Sequence, residues 1–111
     1  MKLNSLSRIP TFGGIEFSTF KLKHGVSETD LFAAADQMVD GLYAVEEDFL
    51  GHAVLKGADG QYVDVVFATT QLRAAELCAK WGAGPFASAC LPYLEKLEEG
   101  STSLAFFERI K

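Results

Sequence analysis

Apolar and polar positions recur with two different periods along this chain, and the changes of period mark its elements. Residues 15–23 are rich in Phe, Ile and Thr and read as a strand, but the apolar parity changes from Ile15 and Phe17 to Phe20 and Leu22. Either a bulge sits near Ser18 and Thr19, or both faces of this strand are buried. Helix one is predicted from Ser27, a hydroxyl at the N-cap with Asp30 three residues on and Glu28 in the first turn. From there Leu31, Phe32, Ala35, Met38, Val39, Leu42 and Tyr43 form an apolar stripe, opposite Asp36, Gln37 and Asp40. After Glu46-Glu47-Asp48 comes a hairpin, in which residues 49–56 and 61–68 flank Gly57-Ala58-Asp59-Gly60. In its second arm Val63, Val65 and Phe67 share one face. Tyr62, Val66 and Ala68 share the other, interrupted only by Asp64, so this strand is expected to be central and covered on both sides.

Residues 70–81 read as a second helix with a Thr70 cap, turning Leu72, Ala75, Cys78 and Ala79 towards the core. Gly82-Ala83-Gly84-Pro85 breaks it. Pro85 suits the first position of a short helix striped by Phe86, Cys90, Leu91, Leu94 and Leu97, which Pro92 bends or shortens. Residues 101–110 return to strand composition, with Leu104, Phe106 and Ile110 on one side and Ala105 and Phe107 on the other. The order β, α, β, β, α, β predicts an α+β, ferredoxin-like split βαβ fold: a four-stranded antiparallel sheet with both helical units on one face. The other face would be apolar. Each Val, Ile or Phe buried is worth about 1.5–3 kcal/mol, so several left wet would cancel a stability of about 5–15 kcal/mol. A second copy is expected to cover them, giving a homodimer in the form of a dimeric α/β barrel.

Composition bounds the rest. With 111 residues there is room for one core. Residues 1–13 hold Pro10 and Gly13 without a clear period and read as an N-terminal arm, and residues 14–111 as the single domain. Hydrophobic residues at 49% and charged residues at 23% suit a soluble globular protein. Nine Phe, three Tyr and one Trp exceed what one small core needs, which points to a ligand cavity or a subunit interface. A net charge of −5 offers nothing to phosphate backbones or anionic lipid, so neither nucleic acid nor membrane is an expected partner. The first residues lack the apolar segment of a signal peptide, and a cytoplasmic address is expected. Cys78 and Cys90 lack metal-ligand spacing and read as two small buried thiols.

The run Phe49-Leu50-Gly51-His52, then Asp59-Gly60-Gln61-Tyr62-Val63-Asp64-Val65-Val66-Phe67-Ala68-Thr69, then Ala74-Ala75 and a Pro85-Phe86 helix before the last strand, resembles the dimeric α/β barrel superfamily. Within it the chain looks like the antibiotic biosynthesis monooxygenase (ABM)-like group, over roughly residues 14–111. The resemblance implies a fold more than a function, because such proteins include cofactor-free monooxygenases, haem-degrading enzymes and isomerases. Where many relatives carry Pro before the turn and Trp in the third strand, this chain has Asp48, Tyr62 and Phe67. The haem-degrading branch relies on Asn, His and Trp. The first strand here has no Asn and the only Trp, Trp81, sits at a helix end, so that activity is not carried over.

Ligands in this architecture enter between sheet and helices, so polar groups on the sheet are the candidates for chemistry. Asp64 interrupts an apolar strand: it is either a carboxyl of raised proton affinity suited to proton transfer, or one salt-bridged to Lys or Arg or sitting at the wetter edge of the sheet. His52 lies on the adjacent arm. A two-residue turn puts it opposite Phe67, on the face away from Asp64; a three-residue loop brings the two together as an acid/base dyad. His52 and Asp64 are thus the candidate catalytic residues. His24, Tyr43, Tyr62, Trp81 and Tyr93 are candidates for lining a pocket. No nucleophile elbow, P-loop, dinucleotide fingerprint or metal cluster is present, and neither metal nor tightly held cofactor is expected. Two readings follow: a cofactor-independent monooxygenase-like enzyme or binder of a small apolar or aromatic compound, or a non-catalytic dimerisation or sensing module whose pocket its own side chains fill.

Overall fold

The computed structural model describes residues 11–82 and 86–111. Its strands are β1 (Gly14–Lys21), β2 (Phe49–Lys56), β3 (Gln61–Ala68) and β4 (Ser103–Glu108), and its helices α1 (Glu28–Met38), α2 (Gln71–Ala79) and α3 (Leu91–Leu94). The strands form one antiparallel sheet in the order β2-β3-β1-β4, the ferredoxin-like topology expected from the element order. Of the arm expected over residues 1–13, residues 1–10 lie outside the described part. Gly13 is tied to the sheet at both ends, by its N–H to Ala68 (3.0 Å) and by its carbonyl from the Arg109 N–H (2.8 Å).

Two hydroxyls start the helices as expected. Ser27 Oγ accepts from the Asp30 amide (3.1 Å) and Thr70 Oγ1 from the Arg73 amide (3.0 Å). α1 does not stop at Met38 but widens into one π-helical turn, Val39–Tyr43, closed by the Ala44 amide on the Val39 carbonyl (2.9 Å). That turn shifts the helix register so that Val39, Leu42 and Tyr43 all remain buried. Phe32, expected in the stripe, is on the outer side, and Ala34 takes its place inward. In α2 the inward residues are Ala74 and Leu77. Leu72 is 68% exposed, because the helix meets the sheet through its small Ala74 side rather than through its largest residue. The Pro92 expectation holds: the last helical unit is a 3₁₀ turn, Ser88–Cys90, followed by four residues of α3. Pro85 and its neighbours Ala83 and Gly84 lie outside the described residues.

β1 contains no bulge. Its register with β3 is continuous from Gly14↔Ala68 to Lys21↔Gln61, so the second alternative applies: Glu16, Ser18 and Phe20 face the helices, while Ile15, Phe17 and Thr19 face the other way. The irregularity lies in β2 instead, where the pairing shifts between Phe49 and Gly51. The β2–β3 hairpin closes with a three-residue loop: Gly57 N–H donates to the Gln61 carbonyl (2.8 Å), and Ala58, Asp59 and Gly60 lie between. Asp59 and Gly60 both have positive φ (56° and 75°), the conformation for which Asp-Gly is suited. Gly14 permits the closest approach of sheet and α2, since a Cβ there would meet the Gln71 amide nitrogen at 2.2 Å.

The core lies between the helices and the helix-facing side of the sheet, where Phe20, Tyr62, Val66 and Ala68 meet Leu31, Ala35, Met38, Tyr43, Ala74, Leu77 and Tyr93. The opposite side of the sheet carries no helix among the described residues. There Ile15, Phe17, Val63 and Phe67 are half-buried and Phe107 is exposed, with Phe12 edge-on to Phe67 (5.2 Å) and Phe17 edge-on to Phe107 (6.0 Å). No described helix is long and apolar enough to cross a membrane.

Candidate active site

Among the described residues four polar side chains are buried, Glu16, Ser18, His52 and Asp64, and all four lie on the helix-facing side of three adjacent strands. Their placement follows from register. Ser18 on β1 pairs with Asp64 on β3, Glu16 with Val66, and His52 on β2 also with Val66. The two carboxylates are therefore diagonal neighbours across β1 and β3, and His52 is the diagonal neighbour of Asp64 on the other side. The three-residue hairpin loop is what puts His52 on this face; a loop one residue shorter would have turned it to the opposite side.

His52 Nε2 lies 2.5 Å from Asp64 Oδ1, and the Tyr93 hydroxyl donates to Asp64 Oδ2 (2.8 Å), so both oxygens of this buried carboxylate are engaged. Burial works against a positive charge on His52. The charge of Asp64, its hydrogen bond and the charge of Glu16 together outweigh burial and hold the imidazole above its usual range. Tyr93, buried and donating to Asp64, is held well above the ordinary phenol range and remains a donor. Ser18 Oγ donates to Glu16 Oε2 (3.1 Å), while Glu16 Oε1 has no hydrogen-bond partner among the described residues. Burial first, and the charge of Asp64 second, push the Glu16 carboxyl up to about 7, against the opposing pull of the Ser18 hydroxyl, the Cys78 thiol and His52.

Above these residues is a cavity of about 290 Å³ between sheet and helices. Glu16, Ser18 and Asp64 form its polar floor. Phe20, Trp81, Tyr93, Leu94 and Leu97 line its walls, and the exposed Gly82, Phe86, Thr102 and Leu104 bound its mouth. Cys78 also lines it, but burial and the Glu16 charge push this thiol up to about 12, so it is not a thiolate near neutrality. Among the described residues no group of three or more His, Cys, Asp or Glu is disposed to hold a metal ion.

Of the residues singled out from the sequence, Asp64, Trp81 and Tyr93 line the cavity, and His52 stands behind Asp64 at 1% exposure. Tyr43 does not reach the cavity. It is fully buried at the end of the π turn, where it accepts the Trp81 indole N–H and so fixes the orientation of a cavity wall. Tyr62 points to the other end of the sheet, stacking on Phe20 (5.8 Å) and donating to Glu28 Oε2 (2.6 Å), which also pairs with Lys56 (2.8 Å). His24 is exposed in the loop after β1 and is not among the lining residues, because the β1 extension turns outwards at Gly25. Glu16 and Ser18 were not singled out. Their signal was parity: both share the face of Phe20, which an unbroken strand would have revealed.

No family model matches the chain, and no curated protein does. Solved structures do. The cofactor-independent oxygenase SnoaB from Streptomyces nogalater superposes with a TM-score of 0.61 at 13% identity, over 89% of this chain and 95% of that one. This chain shares its ferredoxin-like fold. A Caulobacter crescentus protein named as a proposed antibiotic biosynthesis monooxygenase gives a TM-score of 0.64 at 13% identity, over 91% and 93% of the two chains. Rv0793 from Mycobacterium tuberculosis gives 0.60 at 15%, over 88% and 95%. At these identities the neighbours share the backbone plan; the chemistry rests on the residues described above.

Proposed function

We propose that this protein is a small enzyme of the cofactor-independent monooxygenase-like kind, which takes an apolar or aromatic compound into the cavity and moves a proton to or from it. The observation that carries the reading is Glu16, a buried carboxyl with an affinity for protons near neutral pH, on the floor of a cavity of about 290 Å³. A general base works best when its pKa lies near the working pH, which Glu16 satisfies. Asp64 faces the same cavity with its two oxygens held by His52 and Tyr93, and its charge is part of what raises Glu16. In this scheme Glu16 exchanges the proton, Asp64 keeps the floor electronegative, and His52 positions Asp64. Deprotonation of a substrate C–H or O–H by Glu16 leaves an electron-rich anion that can react with dioxygen, the co-reactant the reading requires.

The open cavity favours this reading over a non-catalytic module whose pocket its own side chains fill. We place a second copy of the chain over the open sheet face, on the strength of Phe17, Val63, Phe67 and Phe107 there, and the protein in the cytoplasm, on the strength of two unpaired cysteines. Oxygen uptake over a panel of small hydroxylated aromatic compounds tests the function. A turnover that rises with pH around 7 and falls about a hundredfold or more in Glu16→Gln is expected. Equal turnover in the variant would remove Glu16 from the chemistry, and no uptake with any compound would remove the oxygenase reading.

A further inference from the structure

The charge around the cavity is one-sided. Its lining includes two carboxylates, Glu16 and Asp64, and no Lys, Arg or His among the described residues. The nearest cation, His52, lies behind Asp64 and is committed to it at 2.5 Å. Glu16 is only 5% exposed, and its Oε1 is withdrawn from water without a hydrogen-bond partner among the described residues. Such an oxygen costs the fold free energy until a donor reaches it. Around this floor stand the rings of Phe20, Trp81, Tyr93 and Phe86, with Trp81 and Phe20 each edge-on to Tyr93 at 6.0 Å.

We propose that the cavity selects a small apolar amine in its protonated form, whose ammonium group donates to the Glu16 carboxylate while its hydrocarbon part lies among Trp81, Tyr93, Phe20 and Phe86. A ligand that enters as an anion would face two carboxylates with nothing to pair against, unlike one that turns anionic only by handing its proton to Glu16. A neutral ligand could fill the apolar part but would leave the buried charge of Glu16 uncompensated. A cation supplies both the missing donor and the missing charge, and aromatic walls add cation–π attraction. This rests on the reading of the cavity as a ligand site and names the class of ligand.

Ionisation of Glu16 makes the binding depend on pH. The groups that face it are Asp64 on β3, His52 on β2, Cys78 on α2, Tyr43 on the π turn and Tyr93 on α3. Cys78, Tyr43 and Tyr93 are all pushed above their ordinary values and keep their protons in the range of interest. His52 is held above its usual range and is a second titratable group beside Glu16, so a variant is needed to separate the two.

Calorimetry on the full chain with three probes of like size, 2-phenylethylamine, 2-phenylethanol and 3-phenylpropanoate, tests the proposal. The amine is expected to bind at least tenfold more tightly than the alcohol at pH 8, and the carboxylate not at all. Its affinity is expected to fall about tenfold from pH 8 to pH 6 as Glu16 takes up a proton, with about half a proton released on binding at pH 7. Glu16→Gln is expected to lose the preference for amine and most of the pH dependence while still binding the alcohol, which also shows that the variant keeps its cavity. Equal binding of amine and alcohol by the unaltered protein, or a preference for the carboxylate, would overturn the cation proposal and leave the cavity as a ligand site. Failure of all three probes to bind would overturn both.

Discussion

Replacing Glu16 by Gln should favour the folded chain more at pH 8 than at pH 4.5, although it alters a buried residue of the candidate site. The Glu16 carboxyl is raised from 4.5 to about 7 in the folded chain, chiefly by burial. Below pH 4.5 it is protonated in both the folded and unfolded states and costs nothing. Between pH 4.5 and 7 the unfolded chain loses this proton while the folded chain keeps it, so stability falls as pH rises. Above pH 7 the loss is complete and amounts to about 3 kcal/mol. Gln carries no such term. A buried amide has an offset of its own, set by how well it replaces the Ser18 contact, but that offset does not change with pH. The quantity to read is therefore the stability difference between variant and unaltered protein, from urea unfolding at fixed protein concentration, at pH 4.5 and at pH 8. It should move in favour of the variant by about 3 kcal/mol between the two. A difference that stays the same at both pH values would refute the argument, because it would mean that Glu16 ionises in the folded chain as easily as in water.

Three further outcomes follow from the same structure. Asp64→Asn removes the countercharge and the hydrogen bond of His52 and leaves only the charge of Glu16 to oppose burial, so the imidazole should titrate lower than in the unaltered protein, readable in the histidine signals of an NMR titration, with a stability loss of about 3 kcal/mol; an unmoved titration would show that the pair is not coupled. Gly14→Ala drives a methyl group into the Gln71 and Thr70 backbone, and should lower stability by about 3 kcal/mol in thermal or urea unfolding, where a loss under 1 kcal/mol would mean that α2 can slide away. Phe17→Lys on the open sheet face should leave the fold and its circular dichroism intact but yield a single chain in sedimentation at low micromolar concentration; an unchanged assembly would place any interface elsewhere.

The element order and the ferredoxin-like topology were readable because each element carries its own local signal. Ser27 and Thr70 cap their helices, Asp59-Gly60 turns the hairpin and Pro92 shortens the last helix. The site was less legible, and for two reasons that depend on a single residue of register. A loop of two or three residues around Asp59-Gly60 decides whether His52 meets Asp64, and both lengths suit that dipeptide. In β1, Ile15 and Phe17 face outwards while Phe20 faces in, so the strand is apolar on both sides at different points along its length. Hydrophobicity alone could not tell that pattern from a bulge, and Glu16 and Ser18 were hidden by it. The helix-facing side of an unbroken β1 reads Glu16, Ser18, Phe20, a polar pair where a core would be expected, and that is the trace a site leaves in sequence. The inward side of α2 was misjudged for a different reason. Leu72 is its most apolar early residue, yet the close approach permitted by Gly14 selects Ala74 instead.

The whole account turns on the proton affinity of one side chain, which carbon-detected NMR can follow directly through the glutamate carboxyl signals from pH 4 to pH 9. One of them should titrate near pH 7, vanish in Glu16→Gln and shift when an amine occupies the cavity. If every glutamate instead titrates near its ordinary value of 4.5, the buried acid does not exist and the proposed chemistry goes with it.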